Sequence, residues 1–330
     1  MKLKELLKEL GIEKDNSEDL HITRSFSTLA AVSKGKVIKM TDPFLKYCPL
    51  FIWLEIDREK ELGKIEIKTS IEKKISKFGY FTKKRRLHSK KIVVPYGASE
   101  MIMYAMKKRT MDCAVVVCDG AGTVIVPEPE IVQGIGARMN GLFYTSPIAE
   151  TIDKLRNSNC QIVFPEARID QVKGLEKAAK LGYKNIAVTI SGFLGDGLSK
   201  IREIEKKYNV SATVMIVCTT GVTEEKIKEI GKYADIVWSC ASEGIRETIG
   251  RRSILQVSTG IPVFVLTQKG LGLVANYCSN EKALVKLDVK KQYLISGKHR
   301  GKRIKIGDFT TYLSEAKLPV RDGKEPKPLR

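Results

Sequence analysis

Three cysteines stand where strand-like runs end: Cys118 after Ala114-Val-Val-Val117, Cys218 after Thr213-Val-Met-Ile-Val217, and Cys240 after Ile236-Val-Trp-Ser239. Neighbouring strands lie ~5 Å apart, so thiols closing adjacent strands can converge on one metal. Three thiolates holding an iron–sulfur cluster would leave one iron open to a substrate. Buried free cysteines occupy the same kind of position for packing reasons alone, so both readings stand. Cys113 lies five residues before Cys118, and two-residue alternation sends it to the opposite face, into the core. Cys160 and Cys278 read as structural. Seven cysteines, an odd count with no Cys-x-x-Cys among them, argue against a disulfide framework and against zinc or thioredoxin-like motifs.

Glycine-rich segments are the second source of chemistry. Cys118-Asp-Gly-Ala-Gly-Thr123 follows a strand and reads either as a ligand loop or as a hairpin turn at Asp119-Gly120. Gly192-Phe-Leu-Gly195-Asp-Gly197 lies between a strand and a helix, where a helix start can take phosphate or carboxylate. It lacks the Gly-x-Gly-x-x-Gly spacing, and no acidic residue closes the next strand, so nicotinamide binding is not indicated. Arg138, just after Gln133-Gly-Ile-Gly136, could clamp an anion through its planar fork or be an ordinary surface arginine. Asp119 as acid or base, with Arg138 as clamp, would make a metal-free enzyme acting on a small anionic metabolite. Glu166 and Asp170 suit a helix dipole. The histidines are His21, His88 and His299, with none from Lys91 to Glu281. A Ser–His or Cys–His pair in that stretch would need a terminal segment folded over it. The signatures of α/β-hydrolases, zincins and P-loop NTPases are absent.

The chain has 330 residues, 43% of them hydrophobic, without the ~18–20 apolar run a bilayer span needs. Met1–Leu10 is amphipathic and has no signal-peptide pattern, so a cytoplasmic protein is expected. Residues 1–90 read as a basic α+β unit containing a hairpin, 91–282 as an α/β core, and 283–330 as a short basic β-rich extension and tail. In the core, strands over 112–118, 161–164, 185–190, 212–217, 235–240 and 262–266 alternate with helices. That pattern predicts an α/β fold with a mainly parallel sheet, layered on both faces by helices.

Fifty-eight Lys and Arg against thirty-eight Asp and Glu leave a net charge of +20. Nine basic residues and one acid fall between Glu72 and Lys91, interleaved with Phe78, Tyr80 and Phe81, and eight basic residues with Asp288 fall between Lys286 and Lys305. Cations among aromatics suit single-stranded nucleic acid. The same charge would steer an anionic ligand or an acidic protein partner, or follow from the composition of heat-adapted proteins.

Several strings are similar to those of the methanogenesis marker protein 8 family: Tyr47-Cys-Pro-Leu-Phe51, Val117-Cys-Asp-Gly-Ala-Gly-Thr123, Gln133-Gly-Ile-Gly136, Ala167-Arg-Ile-Asp-Gln-Val172, Thr219-Thr-Gly-Val222 and Cys240-Ala-Ser242. They occur in the family's order, from the N-terminal hairpin to about Leu266. The resemblance implies a cytoplasmic protein of methanogenic archaea that works beside other methanogenesis proteins. It carries no assigned reaction, cofactor or active site. Cys48, Cys118, Asp119, Arg138, Asp170 and Cys240 fall within the shared strings, which makes Cys48 a substitute third thiolate for Cys218. The leading expectation is a redox or cofactor-handling accessory protein with an iron–sulfur site at the sheet's carboxyl edge. The alternatives are the metal-free enzyme and a basic module that binds RNA or an acidic protein.

Overall fold

A computed structural model describes residues 3–12, 19–50, 61–139, 141–279, 281–298 and 300–330. After helix α1 (Leu3–Glu9), strands β1 (His21–Ser25), β2 (Thr28–Ser33) and β3 (Lys36–Met40) form an antiparallel meander. Its tight turns fall at Phe26-Ser27 and Lys34-Gly35, all four residues with positive φ. The meander gains a fourth strand from far along the chain: β6 (Gly141–Thr145) pairs with β1. Helix α2 (Lys64–Phe78) packs near β3 and ends on Gly79 in the left-handed conformation.

The large sheet contains β4 (Cys113–Cys118), β5 (Gly122–Val126), β7 (Gln161–Ile162), β8 (Asn185–Ser191), β9 (Ser211–Val217) and β10 (Ile236–Trp238). It continues with β11 (Leu255–Val257), β12 (Val263–Val265), β13 (Tyr293–Ser296), β14 (Lys302–Ile306) and β15 (Phe309–Glu315). The spatial order is β14-β15-β13-β11-β12-β10-β9-β8-β4-β5-β7. Pairs β4–β8, β8–β9, β9–β10 and β11–β13 are parallel. Pairs β14–β15, β15–β13, β11–β12, β12–β10, β4–β5 and β5–β7 are antiparallel. The expected mainly parallel sheet is therefore corrected to a mixed sheet that is mostly antiparallel. Antiparallel neighbours need only a short link, whereas a parallel pair needs a crossover. The short links are Asp119-Gly-Ala121 between β4 and β5, Ser258–Pro262 between β11 and β12, and Gly307-Asp308 between β14 and β15. Strand β11 had no counterpart in the sequence pattern; β12 returns from it by a short link and lies antiparallel between β11 and β10, which ends the parallel run.

Two-residue alternation sorts the sheet's side chains. Ala114, Val116 and Cys118 of β4 face one core with Ala187 and Met215, while Cys113 and Val115 face the other with Val188 and Val214. Helices α3 (Ala98–Lys107), α4 (Pro129–Gly136), α5 (Ala149–Asn157), α9 (Gln268–Tyr277) and α10 (Glu281–Val285) cover the first face. Helices α6 (Gln171–Lys180), α7 (Leu198–Tyr208) and α8 (Glu224–Tyr233) cover the second. A π-helical turn over Ile245–Ile249 and a 3₁₀ turn over Gly250–Arg252 join them there. Thr223 caps α8 by accepting from Lys226 N–H, as the sequence indicates. Strand β14 is an edge strand whose exposed Lys302, Arg303 and Lys305 discourage pairing with another chain. No helix among the described residues is long and apolar enough to cross a membrane.

Candidate functional site

Where the parallel strands β8, β9 and β10 end, the sheet opens onto a cavity of about 530 Å³. This edge is where open α/β sheets gather ligands, and the size suits a small organic molecule. One wall is Val93-Val-Pro-Tyr96 with α3, and another is the β1–β2 hairpin tip at Arg24, Phe26 and Ser27. The 45–50 loop, Pro326 of the carboxyl-terminal segment, and Ser258–Ile261 complete it. Most of this lining is aliphatic or aromatic.

The polar groups on the wall divide into those already engaged and those open. Glu100 is engaged: its carboxylate accepts from Val93 and Val94 N–H, from Gln133 Nε2 at 3.0 Å and from Ser99 Oγ at 3.0 Å. Those bonds hold the 93–96 wall in place, and Trp238 Nε1 donates to Tyr96 O at 2.9 Å to tie it to β10.

Arg138 is open. It stacks on Phe78, 4.1 Å from the ring centroid, and has no carboxylate partner among the described residues. The paired glycines before it now have a reason. A Cβ on Gly134 would meet Leu87 O at 1.7 Å and one on Gly136 would meet Ser99 Cβ at 2.7 Å. Only glycines let α4 slide close enough to deliver Arg138 to the cavity. Arg24, which the sequence reading did not single out, lies 4.5 Å over Phe193 and donates to Thr220 O at 2.9 Å. A lone cation inside a half-buried strand, His21-Ile-Thr-Arg-Ser25, was the available signal.

Cys218 and Cys240 follow the adjacent strands β9 and β10, both with left-handed backbone, φ 57° and 45°. Non-glycine residues adopt this region at a cost of ~1–2 kcal/mol, and such strain gathers at functional sites. Both side chains line the cavity, together with Cys48. Burial pushes the Cys218 thiol up to about 12, with Cys240 adding to the shift and Arg24 opposing it. Burial likewise pushes Cys48 up to about 12, with Cys240 adding and Arg246 opposing. Arg246 is fully buried behind these thiols and donates through Nη2 to Cys240 O at 2.6 Å. Its Nε and Nη1 lack a hydrogen-bond acceptor among the described residues, although Glu325 stands 3.6 Å from Nη1.

The other expected site residues lie elsewhere. Cys118 is fully buried, and β8 separates β4 from β9, a distance of two strand steps or ~10 Å. Among the described residues no three His, Cys, Asp or Glu side chains are disposed to hold a metal ion, with or without Cys48 in the set. The thiols present thus do not fit a cluster held by three protein ligands. Asp119 is also fully buried, where it accepts from Arg85 Nε at 2.9 Å and from Phe81 N–H at 2.7 Å. Asp119-Gly120 makes the hairpin turn between β4 and β5.

In the 192–197 loop, Gly192 N–H donates to Val217 O and Gly195 N–H to Ser191 O. Gly197 leads α7 in the left-handed conformation, and the Leu198 N–H behind it donates to the Glu229 carboxylate at 3.1 Å. That carboxylate holds the place expected for a phosphate. Asp170 caps α6 by accepting from Lys173 N–H. No histidine lines the cavity among the described residues: His21 bonds Thr145 and Asp19, His88 is exposed, and His299 is outside the described residues. Tyr80 and Phe81 are buried and offer no stacking face beside the basic 72–91 segment.

Comparison with known proteins places this architecture in a lineage. Residues 21–278 match a protein family described as uncharacterized and conserved in archaea (DUF2099). The chain is 35% identical over 273 residues to an uncharacterized protein of Methanocaldococcus jannaschii, MJ0054, covering 82% of this chain and 95% of that protein. No solved structure matches. The matched span contains Arg24, Arg138, Cys218, Cys240 and both long cavity walls, and the chain belongs to this DUF2099 family of archaeal proteins.

Proposed function

We propose that the protein binds a small anionic molecule with a substantial apolar portion, as a cofactor-handling or redox accessory in methanogenesis. The observation carrying this reading is the cavity of about 530 Å³, apolar in most of its lining, where Arg24 and Arg138 are charged and Glu100 is already engaged. A guanidinium facing an apolar pocket favours an anion through charge-assisted hydrogen bonds. The resemblance to marker protein 8 supplies the cellular setting, a cytoplasmic protein of methanogens. The alternative of a nucleic-acid module has less support, because Tyr80 and Phe81 face inward.

Two fluorescent probes of similar shape test the reading. Anilinonaphthalene sulfonate, an apolar anion, should bind at least ~10-fold more tightly than neutral phenylnaphthylamine, which matches the ~1.5–3 kcal/mol of a charged hydrogen bond. Arg138→Met should remove that preference and leave Tm unchanged. Equal affinity for both probes in the unmodified protein would refute the proposal.

A further inference from the structure

Of the seven cysteines, five are buried, and only Cys218 and Cys240 keep partial exposure. Both belong to the cavity wall. Their strands are hydrogen-bonded neighbours with Met215 opposite Ile236 and Ile216 opposite Val237. Beyond the strands two further bonds hold the cysteine segments together: Thr219 Oγ1 donates to Trp238 O at 2.6 Å, and Ala241 N–H donates to Thr220 Oγ1 at 3.1 Å. That register continued sets Cys218 opposite Ser239, one residue from Cys240, and the diagonal of a ~5 Å strand spacing and a ~3.3 Å rise is ~6 Å, within the ~4.4–6.8 Å Cα separation that a disulfide spans.

The two thiols are not equivalent. Arg24 lies nearer Cys218 in its effect, whereas Arg246 donates through Nη2 to Cys240 O at 2.6 Å and keeps two nitrogens without an acceptor among the described residues. An anionic disulfide is drawn towards a cation with open donors. Neither a histidine nor an open carboxylate lines the cavity among the described residues, so acid–base chemistry has few candidates there.

We propose that Cys240 and Cys218 form a redox-active dithiol that reduces a small anionic disulfide bound in the cavity, Cys240 attacking and Cys218 resolving. The Cys240 thiolate attacks one sulfur of the bound disulfide, forms a mixed disulfide and expels the first thiolate. Cys218, as thiolate, then attacks Cys240 Sγ, forms the Cys218–Cys240 disulfide and expels the second thiolate. The two protons of the cysteine thiols pass to the two products. Two electrons move from the protein to the bound disulfide, so each molecule turns over once unless an external dithiol reduces it again. This inference rests on the proposed anion site for substrate capture but on the thiol pair for its chemistry.

Dithiobis-nitrobenzoate, an aromatic dianionic disulfide that releases a coloured thiolate, is a direct probe. The reduced protein should release about two equivalents in its fast phase and lose two hydrogens in mass, with no adduct retained. Cys218→Ser should release one equivalent and keep an adduct on Cys240. Cys240→Ser should slow the fast phase at least ~10-fold, while Cys160→Ser, at a buried cysteine outside the cavity, leaves it unchanged. Separate stable adducts on Cys218 and Cys240 in the unmodified protein would overturn the proposal, as would an undiminished rate in Cys240→Ser. Neutral dithiodipyridine separates the two readings. Closure of the disulfide at equal rates with both reagents would remove the anion site and keep the dithiol. Probe selectivity for the sulfonate without closure would do the reverse.

Discussion

Two arginine centres meet the carboxyl-terminal end of α4, built from the same residue types and left in opposite states. At the first, Arg85 is 2% exposed and every nitrogen has a partner. Nε bonds Asp119, Nη1 donates to Arg86 O at 2.6 Å, and Nη2 donates to Gly134 O and Ile135 O. Its plane lies 3.6 Å from the Tyr80 centroid. Burial alone would lower its pKa, but Asp119 reverses that and raises it. At the second, Arg138 and Arg24 rest on aromatic faces and line a cavity, with no carboxylate in ion-pair contact among the described residues. The first centre is closed and serves the fold. The second is open and can serve a ligand. Whether donors are satisfied, rather than which residues are present, tells the two apart.

Breaking the closed centre should have the largest effect. Asp119→Ala leaves Arg85 buried without its countercharge, and unfolding in denaturant should show a loss of ~3–5 kcal/mol. Were Asp119 a catalytic acid instead, the fold would survive the change.

Lys74 of α2, buried near Arg138, sharpens the contrast. Burial pulls its pKa down to about 7, with Arg138 adding to the effect. The unfolded chain keeps that lysine charged up to its ordinary 10.5, so the unfolded state binds more protons between these values and stability rises with pH across them. Relative to the unmodified protein, Lys74→Met should therefore gain stability as pH falls from 10.5 to about 6, by a few kcal/mol. The gain should shrink towards pH 10.5, and a gain independent of pH would show that the lysine is not desolvated.

At the open centre, Arg138→Met should cost binding of anilinonaphthalene sulfonate at least ~10-fold and cost stability little. A fall in stability like that of Asp119→Ala would mean that Arg138 is structural too. The smallest effect concerns the α7 start. Glu229→Gln should lower stability by ~0.5–1 kcal/mol as the helix dipole loses its anion. Any rise in Tm with inorganic phosphate should be lost in Arg138→Met, because at the α7 start Glu229 already accepts from Leu198 N–H.

Much of the local structure was readable. The runs ending at Cys118, Ile190 and Val217 are strands, the 235–240 run contains β10, Thr223 is a cap, and Cys113 and Cys118 face opposite cores. Period-two and period-3.6 patterns carry that information directly. Strand order is not written in those patterns, and it decided which cysteines meet. Cys218 and Cys240 close neighbouring strands, whereas β8 stands between Cys118 and both of them. The same reason hid Arg24, whose strand β1 pairs with its own meander and with β6 yet reaches the cavity from the amino-terminal region. Interleaved aromatics in the basic 72–91 segment looked like a stacking surface because sequence cannot show that Tyr80 and Phe81 turn inward.

The carboxyl-terminal segment ties together several of these parts. Lys327 bonds Tyr47 in both directions, Arg330 N–H donates to Ala241 O, Glu243 N–H donates to Arg330 O, and Pro326 lines the cavity. Residues 326–330 thus close the rim between the Cys48 loop and the Cys240 loop. Occupancy of the cavity and docking of this strap are then coupled equilibria, each favouring the other by the same factor. Limited proteolysis within 326–330 becomes a binding assay that needs no labelled ligand, because an occupied cavity holds those residues against the rim.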